Sequence, residues 1–327
     1  MGHAHDHGHT HDDAPLMEDL LRNAPSNWGR WGPDDEVGAL NFLTPAEVLR
    51  GVSHIRSGET FTLQRLIGDP RGDPVWPGRT PAERTMVFDE SSWDGPDAPR
   101  FPGGLHYADD KLDAFLQGST QYDALGHVWY GGRIWNGYDA RTTIGGLDKA
   151  SVQALGARGI VGRGVLLDMA RHRGKVALER AETFTHEDLM ACAKAQGHTI
   201  EKHDILIVRT NFLSGFYEDP ENFYTDFCEP GLTYSPELVD WFHAMEIPNL
   251  VTDTIANEVT MDPVHGVALP LHCALMRNLG VTLTEICDLE ALADSCARDG
   301  RYTFLYVAAP LKIHRATGSP VNPVVIK

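Results

Sequence analysis

The chain has 327 residues, 42% of them hydrophobic, and a formal net charge of −18. That length permits one large domain or two ordinary ones and the apolar share can build a normal core, while so acidic a chain suits neither nucleic acid nor an anionic membrane surface, which leaves small molecules as partners. Its five cysteines (Cys192, Cys228, Cys273, Cys287, Cys296) form no CxxC pair and fit reduced thiols, and no apolar run is long enough to span a membrane, so a cytoplasmic protein is expected.

Residues 1–13 alternate His3, His5, His7, His9 and His11 with small or acidic residues. This stretch is expected to be a solvated, disordered tail or an added tag, able to scavenge metal but outside the active site. Residues 14–327 read as one domain. A helical turn is predicted over 17–22, and Trp, Gly and Pro between Asn27 and Asn41 indicate an ordered loop packed by aromatics. Thr44-Pro45-Ala46-Glu47 opens a helix to about Ile55, with Thr44 as N-cap and Glu47 completing a capping box. A strand is predicted over 59–66. Pro and Gly then make 68–84 irregular, and Trp76 and Trp93 serve either as a lid over a site or as pegs into the core.

Residues 128–138 read as an aromatic-rich hairpin turning at Gly131-Gly132. Buried strands are predicted within 159–170 and over 203–211, with a helix between them that opens at Thr185-His186-Glu187-Asp188 and runs to about Gln196. Strand, helix, strand is an α/β pattern. The polar end of the second strand, Arg209-Thr210-Asn211, is expected to be structural. Then follow a long excursion over 212–233, a helix from Ser235 to about Met245, a strand over 249–255 carrying Asp253, a helix starting near Pro270, and strands over 281–286 and 303–310.

Chemistry concentrates in Gln117-Gly118-Ser119-Thr120-Gln121-Tyr122-Asp123-Ala124-Leu125-Gly126-His127. If 121–123 is extended, Gln121 and Asp123 project from one face of the strand. Glycines on either side permit bends that bring Gln117 and His127 to the same point. Such a group can bind a hard or borderline metal ion with a base beside it, or it can be a polar strand end that bonds only the backbone. Trp129, Tyr130 and Trp135 beside this stretch, together with Trp76, are candidates for an apolar substrate wall, or for core.

The stretch resembles the signature of the cyclase family, the group that includes bacterial kynurenine formamidase and isatin hydrolase: His-x-Gly-Thr-His-x-Asp-x-x-x-His. Thr120, Asp123 and His127 occupy matching positions, while Gln117 and Gln121 stand where that pattern has histidine. The phrases from Asn27, from Asp35 to Asn41, Pro270-Leu271-His272 and Gly318-Ser319-Pro320-Val321 are also family-like, so the resemblance extends from about Trp28 to Lys327. It implies an α/β fold with a mixed central sheet or barrel-like core flanked by helices, and a homodimer or homotetramer. It also implies that His272 and Glu285 join Asp123 as metal ligands, with Gln121 or Gln117 completing the shell; His265 is a near competitor for the histidine role.

One divalent ion per chain, manganese or zinc, is expected. The two glutamines shift preference toward the harder ion, or mark the loss of one site of a two-metal centre. With Asp123 and His127 as catalytic groups and His127 as general base, the implied reaction is hydrolysis of an amide, a cyclic amide or imide, or a lactone. Metal-free cyclase or dehydratase chemistry, and a ligand-binding protein without catalysis, are the alternatives.

Overall fold

A computed structural model describes residues 14–327, so the histidine-rich segment lies outside the described residues. In chain order the strands are β1 (Thr60–Thr62), β2 (Glu83–Phe88), β3 (Asp109–Asp113), β4 (Gln121–Asp123), β5 (Ile160–Asp168), β6 (Thr183–Phe184), β7 (Ile205–Arg209), β8 (Gly231–Leu232), β9 (Asn249–Thr252), β10 (Thr282–Glu285), β11 (Thr303–Ala308), β12 (Gly318–Pro320) and β13 (Val324–Ile326). Nine of them form one mixed sheet in the order β1-β13-β11-β5-β7-β9-β10-β4-β12, curled into a half-barrel with helices at its flanks. β5, β7, β9 and β10 run parallel. Their segments Val165-Leu166-Leu167, Ile205-Leu206-Ile207-Val208 and Leu250-Val251 are buried, the continuous apolar pattern of strands covered on both faces. The remaining pairings in this sheet are antiparallel.

The strands predicted within 159–170, 203–211, 249–255, 281–286 and 303–310 are all present. So is the helix Pro236–Met245, where Ser235 Oγ accepts from Leu238 N at 3.1 Å, and the helix His186–Ala195, closed by a Thr185/Asp188 capping box. Two local expectations are corrected. The helix Pro45–Val52 has no side-chain cap from Thr44, because Glu47 is drawn away to Arg50 at 2.6 Å and to His203 at 3.1 Å. The predicted hairpin in 128–138 shrinks to a single bridge between Tyr130 and Arg133. Beyond it Asn136 adopts φ 57°, and its amide spans the carbonyls of Gly32 and Asp35, so tertiary bonds displace the ladder.

The phrases near the N-terminus act as a brace. Asp35 accepts from Gly38 N at 2.8 Å and from Asn41 Nδ2 at 2.6 Å, locking that turn. A π-helix spans His272–Leu279, and its last carbonyls would be orphans without outside donors. Trp28 Nε1 serves Arg277 at 2.7 Å, Asn27 N serves Asn278 at 2.9 Å, and Asn27 Nδ2 serves Leu279 at 2.9 Å. The helix ends at Gly280 (φ 72°), which lies against Gly38 so closely that a Cβ on Gly280 would stand 2.8 Å from the Gly38 Cα and 2.7 Å from the Trp135 ring.

β2 and β3 pair with each other and not with the main sheet, and their residues are mostly exposed, including Met86, Val87 and Leu112. Trp93 packs in a small aromatic group with Phe88, Phe101 and Tyr107 beside this arm. Among the described residues no helix is long and apolar enough to cross a membrane.

Candidate metal centre

The four parallel strands bring polar residues to one edge of the sheet, where ligand sites of α/β folds collect. Glu285 closes β10, and antiparallel pairing sets Gln121 of β4 directly opposite it. Tyr122, between the two glutamine and aspartate side chains, points to the other face. There its hydroxyl donates to Asn249 Oδ1 at 2.7 Å and meets the Tyr306 hydroxyl at 2.9 Å in the core. Gln121 and Asp123 therefore share the site face, as a two-residue period requires.

Asp123, His272 and Glu285 converge, each buried, with one ligand atom from each lying within 4.8 Å of the others. Gln121 Nε2 donates to Glu285 Oε2 at 2.7 Å. His272 opens the π-helix, an irregularity that often accompanies functional sites. Its Nδ1 meets Glu258 Oε1 at 2.7 Å, and the Glu258 carboxylate also accepts the backbone N–H groups of Leu271 and His272 at 2.8 and 2.7 Å. This carboxylate–histidine arrangement fixes the ring and leaves Nε2 facing the cluster, as the outer partners of metal-binding histidines do. Nε2 lies 3.3 Å from Glu285 Oε1, yet that oxygen has no well-aligned hydrogen bond.

The electrostatics suit a cation. Burial works against a charge on His272, but its contacts with Glu258 and Glu285 outweigh that, so the imidazole is pushed up to about 10. Burial and the neighbouring Asp123 carboxylate push Glu285 up to about 7. Glu258 and Asp253 are held above the ordinary carboxylate range, again chiefly by burial. Gln121 Oε1, Asp123 Oδ1 and Glu285 Oε1 are buried oxygens without a hydrogen-bond partner. Buried oxygens of this kind call for an explanation, and a divalent ion supplies one for all three.

His127 is half-buried at the same place, held by the turn in which its N–H donates to Ala124 O at 2.8 Å while Gly126 N donates to Ala150 O at 3.0 Å. Burial lowers its imidazole below the ordinary 6.5; the Asp123 carboxylate opposes this, and the charges of His272 and Arg79 add to it. Thr120 is a pin, with its hydroxyl donating to Ile286 O at 2.6 Å and accepting from Arg65 N at 2.9 Å. Gln117 Nε2 donates to Thr317 Oγ1 at 3.2 Å and lies against Gly318 at the start of β12. His265 pairs with Asp262 at 2.8 Å and takes no part in that cluster.

The aromatic residues divide. Trp135 is fully buried in the main core, Tyr130 stacks on Arg277, and Trp129 is exposed. Trp76 packs edge-on to Phe227, within a second apolar cluster that includes Ile255 and Ile286, the latter adjacent to Glu285. A hollow of about 740 Å³ lies between residues 176–180 and 212–223. It holds no comparable convergence of buried polar groups, so the chemistry and not the hollow marks the site.

Sequence reasoning missed Glu258, Arg79 and Glu229. Glu229 is fully buried; Oε1 accepts from Ile255 N at 2.7 Å and Oε2 has no partner. Burial holds this carboxyl well above 4.5, with the charges of Glu285 and Asp253 adding to it and the backbone bond opposing. A group raised in the folded state contributes stability below its unfolded value, and that contribution is lost as pH climbs toward the folded value. Glu229→Gln should therefore match the parent near pH 4.5 and gain on it by about 1.4 kcal/mol per pH unit until the folded value is passed. Urea midpoints across pH measure this, and a difference independent of pH would mean that Glu229 ionises freely in the fold.

Residues 3–259 match the model of the family described as "Putative cyclase". The crystal structure of a novel cyclase is 36% identical, with a TM-score of 0.84 over 96% of this chain and 100% of that one. Isatin hydrolase A from Ralstonia solanacearum, at 18% identity, superposes with a TM-score of 0.60 over 86% of this chain and 97% of its own. Isatin hydrolase A from Labrenzia aggregata, bound to benzyl benzoate, gives 19% and 0.59 over 84% and 94%. These two likenesses are of fold. No curated protein matches the chain. The matched family model, the closely superposing cyclase structure and the signature positions Thr120, Asp123 and His127 together make the chain a member of the cyclase family.

Proposed function

We propose that the protein is a metal-dependent hydrolase that cleaves an amide, cyclic amide or imide, or lactone bond of a small molecule. The observation that carries this reading is the set of buried oxygens without partners around Asp123, His272 and Glu285. Asp123, His272 and Glu285 would hold one divalent ion, with Gln121 Oε1 as a fourth donor. When bound, such an ion supplies Lewis acidity and a water of lowered pKa.

The chain's own groups do the rest. Two carboxylates offset the dication, and Glu258 keeps the His272 ring oriented. His127, neutral near pH 7 because its pKa is lowered, accepts a proton at an imidazole nitrogen and returns it to the leaving group. The mostly oxygen donor set favours manganese over zinc. Gln117 holds its amide nitrogen to Thr317, which leaves the amide oxygen as its only possible donor to an ion. Trp76 packs in the apolar cluster that includes Ile286, the neighbour of Glu285.

The test is metal analysis of the protein with residues 1–13 removed, since their histidines bind metal on their own. About one manganese or zinc per chain, with hydrolysis in a screen of amides and lactones that stops on chelation, is the expected result. An intact fold that holds no metal and gains no activity on adding it would overturn the reading in favour of metal-free chemistry or ligand binding.

A further inference from the structure

The long loop before β2 is built to hold one cation over the site. Asp73, buried, accepts from Gly68 N at 3.0 Å at one end of the loop and from Ala82 N at 3.0 Å at the other, closing it at its neck. Such a closed loop is compact and keeps its shape without a ligand. Trp76 anchors the far side against Phe227, and Arg79 N donates back to Trp76 O at 3.0 Å. The Arg79 guanidinium is thereby delivered to the signature stretch, where Nη1 donates to Gln117 O at 2.8 Å.

That bond uses one of five guanidinium N–H donors. Arg79 has no carboxylate within ion-pair distance among the described residues, although it sits near enough for its charge to act on both Glu285 and His127. Arg71, on the same loop, is different: it pairs with Asp69 at 2.7 Å. An arginine held in place, half-buried, beside an acidic cluster and yet unpaired is arranged to receive an anion from outside. Its remaining donors form the planar fork that matches a carboxylate. The apolar group around Trp76, Phe227 and Ile286 lies on the same side.

We propose that Arg79 binds a carboxylate of the substrate, so that the protein acts on small molecules carrying a carboxylate next to an apolar or aromatic group. The scissile bond in this statement rests on the hydrolytic reading above; the binding does not.

Phenylacetate and phenylacetamide, equal in shape and different in charge, test it by calorimetric titration of the protein lacking residues 1–13, with and without added manganese. Phenylacetate should bind about tenfold more tightly in both conditions. Arg79→Gln should abolish that preference, Arg79→Lys should keep part of it, and Arg71→Gln, which removes the same charge from the same loop, should leave it unchanged. Thermal melts establish that each variant is folded. Equal affinity of the two compounds for the parent overturns the proposal, as does a preference that survives in Arg79→Gln. An Arg79-dependent preference in a protein that hydrolyses nothing supports the carboxylate subsite and counts against the hydrolytic reading alone.

Discussion

Asp123→Asn and His272→Ala should each lose bound metal and turnover together, whereas His127→Ala should keep its metal and lose about 10²- to 10⁴-fold in turnover. The contrast follows from geometry. Asp123 and His272 each contribute an atom to the cluster, so removing either takes away one of its three donors, and removing His272 also leaves the Asp123 and Glu285 carboxylates facing each other. Metal affinity should fall by more than the roughly 100-fold that loss of an outer partner costs. His127 lies in the turn after β4, and in the proposed reaction it handles protons and not the metal. Metal content by emission spectroscopy, kcat/KM and melting curves on the three variants lacking residues 1–13 check this. Equal metal in all three would remove the ligand assignment. Because the His127 pKa is lowered, its base form persists below pH 6.5, so the acid limb of kcat/KM in the parent should lie under that value; a limb at 7 or above would belong to another group.

Gly280→Ala should destabilise the fold by about 3 kcal/mol, from roughly 1 kcal/mol for a left-handed residue gaining a Cβ and the remainder for overpacking. The new methyl would have to displace the Trp135 ring or the Gly38 backbone, both within 2.8 Å of it. Trp135 is fully buried and Gly38 is locked by Asp35, so neither yields cheaply. Gly300→Ala provides the comparison: it also follows a helix, at φ 68°, but its Cβ would meet open space, and only the conformational part, about 1 kcal/mol, should appear. Urea unfolding of both variants separates the two costs. Equal losses would mean that the Gly38–Gly280 contact is not a tight one in solution.

β5, β7, β9, β10 and β11 were legible because they are short, largely apolar runs between turn residues, whereas β12 and β13, three residues each at the end of the chain, carried no such signal. Gln121 and Asp123 were legible as a pair for the same reason of period. Other parts were not. Glu258 carries no local signal, since its role exists only where the chain returns through Leu271 and His272. Arg79 lay in a segment readable only as irregular, because the bonds of Asp73 that shape it span nine residues of loop. The β2–β3 arm has no buried face, so Asp109-Asp110-Lys111-Leu112-Asp113 lacks the alternation that would announce a strand. Trp129, Tyr130 and Trp135 read either as a wall or as core, because they are aromatic and close in sequence. Trp129 is exposed and Tyr130, next to it in the chain, stacks on Arg277, while Trp135, beyond Gly131-Gly132, is buried in the main core.

Tyr122 carries a consequence for how this site can change over evolutionary time. Its hydroxyl is tied to Asn249 and Tyr306 on the core side, so β4 cannot slide by a residue without driving a phenol into the acidic cluster and a carboxylate into the core. With the register secured from behind, the side chains at positions 121 and 123 are not what sets it. Donor atoms there can be exchanged, imidazole for carboxamide, without a shift of register, provided the new side chain still meets Glu285. A lineage can thus vary its ion and its reaction while the backbone that presents them stays the same, and Gln121, in a place where the resembled signature has histidine, is the kind of substitution such a rail permits.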